Sequence, residues 1–216
     1  MNYKIIDTGN RICKHREYIF EGVPILQHPD ITKYFPKIIN DFDRIIELGT
    51  FTGGLTLYLH RIKKFETELI SYDIDINLSQ LPKDHGLDTR WGNWWDEKWL
   101  KEFKELMSEK NKRILLLCDG GYKEDEFRMF SSYLKINDVI MVHDYAECYI
   151  EEWNSYTHPI EWYDQPDSSY AMIEESIKKH HLKKHRLYNE FKSVLWGIFI
   201  KSTIFLEKNY NTIKVT

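Results

Sequence analysis

Between Asp41 and Asp144, short apolar runs with no in-and-out alternation take turns with segments whose apolar residues recur at helical spacing. Arg44-Ile45-Ile46-Glu47-Leu48 ends at Gly49, and Leu69-Ile70-Ser71-Tyr72-Asp73 is the second run. Arg113 to Cys118 and Val139 to Val142 follow, with a weaker run over Thr89 to Gly92 before them. Leu55, Leu59 and Ile62 predict a helix over residues 53–64. Trp99, Leu100, Phe103, Leu106 and Met107 predict a second helix, and Phe127, Phe130 and Leu134 a third. Strands that are apolar on both faces belong in a parallel sheet covered by helices on both sides. After Asp144 the pattern breaks into a polar and aromatic stretch over 145–168, followed by a helix near 168–181. Two β-rich runs, Ser193 to Ile200 and Thr203 to Glu207, then predict an antiparallel hairpin. The expected fold is α/β and doubly wound, with a mostly parallel seven-stranded sheet ending in that C-terminal hairpin. Residues 1–40, punctuated by Pro24 and Pro29, form an N-terminal extension to a domain over 41–216.

A chain of 216 residues is enough for one large domain of this kind. Lys and Arg number 30 against 34 Asp and Glu, a net charge of −4, which disfavours nucleic acid as a partner. The longest apolar runs, Ile114 to Cys118 and Val194 to Ile200, fall far short of the roughly 20 residues of a membrane helix. No apolar leader follows Met1, and Cys13, Cys118 and Cys148 show no CxxC spacing, so a cytoplasmic protein with reduced thiols is expected.

Glu47-Leu48-Gly49-Thr50-Phe51-Thr52-Gly53-Gly54 joins the first strand to the first helix. Glycine there lets the backbone turn sharply and approach a ligand closely. The loop is neither the G-x-G-x-x-G of dinucleotide sites nor a Gly-Lys-Ser/Thr phosphate loop. An acidic Glu47 ahead of it repels phosphate and suits a cationic ligand. Asp73 lies 20 residues beyond Gly53 at the end of the second strand, where a carboxylate can accept both ribose hydroxyls. A ribose-bearing, phosphate-free, cationic ligand is called for, and S-adenosylmethionine meets those demands. The competing explanation is a glycine turn of the kind many α/β folds use for packing alone.

This stretch resembles motif I of the class I S-adenosylmethionine-dependent methyltransferases. Gly22-Val23-Pro24-Ile25-Leu26-Gln27-His28-Pro29-Asp30, Tyr34, Ile45 to Thr50 and Gly53-Gly54 more narrowly resemble the cephalosporin hydroxylase / rhamnosyl O-methyltransferase family. Leu55 stands where that family usually has Ser. The resemblance covers roughly residues 20–145 and implies a Rossmann-like methyltransferase fold. It also implies cofactor binding by Glu47, Gly49, Thr50, Gly53, Gly54, Asp73, Asn93 and Asp119, with the N-terminal extension packing on the cofactor site. Asn93 would meet the adenine amino group and a tryptophan of Trp91, Trp94 or Trp95 would flank the ring; alternatively Trp94 or Trp95 is core beneath the next helix.

Asp119 ends one strand and His143-Asp144 the next. Tips of adjacent strands lie about 5 Å apart, so these side chains can converge. By resemblance to metal-dependent O-methyltransferases, Asp119, His143 and Asp144 would hold a divalent cation such as Mg or Mn. An imidazole among the ligands moves the preference from Mg²⁺ toward Mn²⁺, Fe²⁺ or Zn²⁺. It also allows a metal-free reading in which His143 is a general base oriented by Asp144. Lys123 is a second base candidate, or a solvated loop lysine. Residues 145–168, with Tyr145, Tyr149, Trp153, Tyr156, Trp162, Tyr163 and six carboxylates up to Asp167, read as an acceptor-side lid suited to a sugar or glycan, or as rings packed on the domain. Lys178 to Arg186 reads as a solvated helix face, or as a contact for an acidic partner; His181 and His185 have helical metal spacing but no third ligand. The expected function is O-methylation of a small hydroxylated acceptor. A non-catalytic S-adenosylmethionine-binding module and a nucleic-acid methyltransferase are the alternatives.

Overall fold

The structure, a computed structural model, describes residues 4–12, 15–75, 85–93, 95–147 and 168–203. Three antiparallel strands open the chain: β1 (Ile6–Ile12), β2 (His15–Phe20) and β3 (Val23–Ile25). A helical turn α1 (Ile31–Tyr34) and two 3-10 turns lead into β4 (Arg44–Leu48). Then come α2 (Gly54–Ile62), β5 (Glu68–Asp73), β6 (Asp88–Trp91), α3 (Glu97–Ser108), β7 (Ile114–Cys118), α4 (Lys123–Phe130) and β8 (Val139–His143). The chain continues through β9 (Tyr145–Ala146), β10 (Ser168–Ser169), α5 (Tyr170–Lys179), β11 (Leu182–Lys184), α6 (Tyr188–Lys192) and β12 (Trp196–Lys201).

Seven strands form the main sheet in the order β11-β12-β8-β7-β4-β5-β6. The five from β8 to β6 are parallel, and β12 and β11 run antiparallel. Every residue of β4, β7 and β8 is buried, as their unbroken apolar runs demand, whereas β6 at the edge is largely exposed. The chain builds outward from β4 to β6 and then returns to place β7 against the other side of β4. Connections therefore leave in opposite directions at the β4/β7 seam, and a crevice opens beyond the carboxyl ends of those two strands. α3 starts where Asp96 caps it, its side chain accepting from the Trp99 amide, and it buries Trp99, Phe103 and Met107.

The antiparallel edge differs in detail from the hairpin expected. β12 fills the first limb, but its outer partner is β11, drawn from the basic run. Thr203 lies in no strand, and the rest of the expected second limb, from residue 204, lies outside the described residues. α5 ends at Lys179, His181 turns the backbone at a φ of +52°, and Leu182 anchors an edge strand whose Lys183 and Lys184 face solvent. The basic run is thus a helix end, a turn and a strand, and His181 and His185 share no helix face. His185 is buried near Arg186 and Arg113, with burial foremost in lowering its pKa to about 4, so it is no cation at neutral pH.

Of the expected lid, residues 148–167 lie outside the described residues, while its two ends pair through β9 and β10, Ser168 opposite Tyr145. Cys118 is a buried free thiol in β7; Cys13 and Cys148 lie outside the described residues. Among the described residues no helix is long and apolar enough to cross a membrane.

Candidate active site

A cavity of about 530 Å³ occupies the crevice. Its walls are residues 24–27 of the N-terminal segment, the glycine loop, the tip of β5 with Ile74 and Asp75, the loop 119–123, and His143 with Asp144. Two glycines are required by close approach. Gly49 has a φ of +94°, and a Cβ there would lie 2.3 Å from the Asp119 carbonyl oxygen. A Cβ on Gly54 would lie 2.2 Å from the Pro24 carbonyl, because β3 packs directly over the start of α2. Thr52 Oγ1 also donates to the Pro24 carbonyl at 2.6 Å, tying the N-terminal segment to the glycine loop.

At the β4–β5 end, Phe51, at a φ of +47°, donates its amide to Asp73 Oδ2 at 2.7 Å, and the Asp75 amide donates to Oδ1 at 2.9 Å. These bonds hold the Asp73 carboxylate in the cavity wall. Thr50 Oγ1 and Ser71 Oγ share a hydrogen bond of 2.6 Å below it. Glu47 lies deeper and does not line the cavity: Thr56 Oγ1 and Ser71 Oγ both donate to its Oε2. Complete burial, aided by the nearby Asp119 and Asp73 carboxylates, raises its pKa to about 8 against those two hydrogen bonds. The shift favours its protonated form, against the charge expected from residue type, and its two hydrogen bonds tie β4 to α2 and β5 beneath the glycine loop. Gly53 is the left-handed cap of α2 and also stands outside the wall. Asn93 accepts from the Trp95 amide at 3.0 Å and does not reach the wall. Trp95 is 68% exposed and Trp94 lies outside the described residues; the buried tryptophan of this region is Trp99, on α3 itself and stacked on Phe103.

At the β7–β8 end, Asp119, His143, Asp144 and Lys123 converge on the cavity. His143 Nδ1 lies 2.7 Å from Asp119 Oδ1 and 3.6 Å from Asp144 Oδ1. Asp119, rather than the expected Asp144, is therefore the group that orients the imidazole. Asp144, at a φ of +50° just past β8, pairs its Oδ2 with Lys123 Nζ at 3.0 Å. Lys123 thus acts as a charge partner. Burial alone lowers the pKa of His143, but the Asp119 and Asp144 carboxylates and the Asp119 hydrogen bond outweigh it and leave the net shift upward. Its Nε2 is buried and has no hydrogen-bond partner among the described residues.

Sequence reasoning gave no role to three residues in or beneath this cluster. Gln27 Nε2 donates to Asp119 Oδ2 at 2.7 Å, and Trp196 Nε1 donates to Gln27 Oε1 at 2.9 Å. The His143 ring lies against Trp196 with centroids 4.7 Å apart. Glu126 of α4 sits beneath the loop, accepting from the Gly120 amide, with burial raising its pKa to about 8. The pattern of α4 offered one signal: Glu126 directly precedes the core residue Phe127.

The metal-ligand reading does not fit this arrangement. Both oxygens of Asp119 accept hydrogen bonds from Gln27 and His143, and Asp144 Oδ2 faces an ammonium. The Lys123 ammonium already neutralises Asp144 and would repel a second cation beside it. Among the described residues, no group of three His, Cys, Asp or Glu is placed to hold a metal ion.

No family model matches the chain, and no curated protein matches it by sequence. Solved structures do match. The apo form of CmcI superposes with a TM-score of 0.61 at 16% identity, over 87% of this chain and 77% of that one. CmcI with Mg and SAM gives 0.60 at 16% identity, over 92% and 81%. The O-methyltransferase TomG from Streptomyces achromogenes, involved in tomaymycin synthesis and in complex with SAM, gives 0.50 at 8% identity, over 85% and 84%. The chain has the class I methyltransferase fold. In that fold's terms the cavity sits at the switch point of the methyltransferase sheet, where β4 and β7 diverge.

Proposed function

We propose that this protein is an S-adenosylmethionine-dependent methyltransferase that methylates a hydroxyl of a small acceptor. The observation carrying the proposal is one cavity that joins a glycine loop and a held ribose-type carboxylate, Asp73, to a buried Asp119–His143 pair. Its volume lies within the usual range for small-ligand sites. Gly49, Thr50, Gly54 and Asp73 would hold the cofactor, with the two glycines letting the Asp119 loop and β3 close around the glycine loop. When bound, S-adenosylmethionine supplies an already activated methyl group, so the chain need supply no nucleophile. What the chain must do is orient the acceptor and take its proton. Asp119 accepts from Nδ1–H and leaves Nε2 to take the hydroxyl proton, and its carboxylate stabilises the imidazolium formed. Lys123 offsets the second carboxylate, Asp144.

A base poised on the cavity favours turnover over a passive cofactor store. The net charge of −4 favours a small acceptor over nucleic acid. The aromatic and acidic composition of residues 145–168 supports a sugar-like one.

S-Adenosylmethionine and S-adenosylhomocysteine should each raise the melting midpoint, by the equivalent of about 2.7 kcal/mol at a hundredfold excess over Kd. Asp73→Ala should abolish that rise. An unchanged midpoint in wild type at millimolar ligand removes the proposal. A screen of sugars, polyols and phenols for S-adenosylhomocysteine release then identifies the acceptor. With that acceptor, EDTA should leave the rate unchanged, because every step assigned here runs through side chains. Loss of activity with EDTA and its return with Mg²⁺ or Mn²⁺ would replace the histidine base by a metal-held hydroxyl.

A further inference from the structure

The geometry points to Gln27 as the positioning residue that holds Asp119 against Nδ1 of His143 and so keeps the ring proton on that nitrogen, an inference that rests on His143 being the base. The logic begins at Trp196. An indole N–H is a donor only, so the atom 2.9 Å from Trp196 Nε1 must be the carbonyl oxygen of Gln27. That choice orients the whole amide and turns its NH₂ toward Asp119 Oδ2, at 2.7 Å. The flipped amide would set N–H against N–H at Trp196 and oxygen against oxygen at Asp119. With Oδ2 accepting from Gln27, Oδ1 is left to accept from His143 Nδ1, also at 2.7 Å. A neutral imidazole carries one proton, and this chain of donors places it on Nδ1. Nε2 is left bare, and Nε2 is the nitrogen without a partner among the described residues.

The ring of contacts closes on itself, because the imidazole packs on the same Trp196 that orients Gln27. Gln27, His143 and Trp196 are all buried, so water does not readily substitute for a lost partner. Gln27 also arrives from outside the seven-stranded sheet. It follows β3, whose Pro24 carbonyl lies over Gly54 and accepts from Thr52. The stretch that covers the glycine loop is therefore the stretch that holds the carboxylate orienting the base.

The test is the side-chain nitrogen spectrum of His143 in ¹⁵N-labelled protein, recorded at a pH above its titration. Wild type should show the Nδ1–H tautomer. Gln27→Met, close in size but with neither donor nor acceptor, should free the Asp119 carboxylate to turn and so weaken that preference, with the Nδ1–H signal moving toward that of a free imidazole. A wild-type Nε2–H tautomer, or a Gln27→Met spectrum identical to wild type, overturns the inference. Should Gln27→Met fail to fold, Trp196→Phe, which removes the indole N–H that orients the Gln27 amide, should weaken the preference in the same way, and an unchanged spectrum there overturns the inference. A protein that shows the expected spectra but transfers no methyl group to any acceptor overturns the proposed function and leaves the role of Gln27 standing.

Discussion

His143→Asn is expected to slow methyl transfer by about 10²–10⁴-fold, the usual contribution of a positioned general base. S-Adenosylhomocysteine should bind as it does to wild type. Asparagine is the informative replacement because its amide nitrogen stands near the place of Nδ1. It can still donate to Asp119, so the Gln27–Asp119 network stays satisfied while the proton-accepting atom is removed. The pH dependence is a second arm of the same test. Burial pulls the pKa of His143 down, but Asp119 and Asp144 together raise it above the ordinary 6.5. Only the neutral ring accepts a proton, so wild-type kcat/KM should climb with pH through a value above 6.5. In His143→Asn the residual rate should lack that rise. A variant rate within threefold of wild type, or the same acid limb in both proteins, would remove His143 from the chemistry.

The parts of this molecule legible in its sequence are those decided locally. β4, β7 and β8 are apolar on both faces because helices cover both, and residues 44–48 and 139–142 mark their strands almost to the residue. The meeting of Asp119 with His143 and Asp144 also follows from position, since all three end neighbouring parallel strands. Pairing within that cluster does not. Whether Asp119 or Asp144 orients the imidazole depends on Gln27, which lies 92 positions from Asp119 along the chain and in a segment with no helical or strand periodicity of its own. β11 was illegible for a related reason. Its three residues, Leu182, Lys183 and Lys184, form a strand because β12 offers a free edge, not because their own composition asks for one. Glu47 shows the remaining limit: residue type says carboxylate, but only burial says whether the carboxylate is ionised.

Glu47→Gln should be nearly neutral for stability in mild acid and strongly stabilising in mild base, measured on the protein without ligand. The sign follows from where the group titrates in each state. In the folded chain burial lifts Glu47 to about 8, while the unfolded chain titrates near 4.5. The folded state therefore holds a proton that the unfolded state has lost over this interval. Stability from this group is complete below about 4.5 and drains away as the pH rises through 8. Glutamine has no proton to lose. Its carbonyl can accept from Thr56 and Ser71 as Glu47 Oε2 does, and its NH₂ takes the place of Oε1, which has no partner among the described residues. The stability difference between variant and wild type should thus grow from under about 1 kcal/mol at pH 5 to the order of 4–5 kcal/mol above pH 8. Denaturant unfolding at a series of pH values measures it directly, and comparing the two proteins cancels the titrating groups that are not coupled to Glu47. Glu126→Gln should behave alike, since Glu126 is also buried and also raised to about 8. Curves that stay parallel from pH 5 to pH 9 would mean that Glu47 is ionised in the folded protein, with a buried charge held by Ser71 and Thr56 beneath the glycine loop.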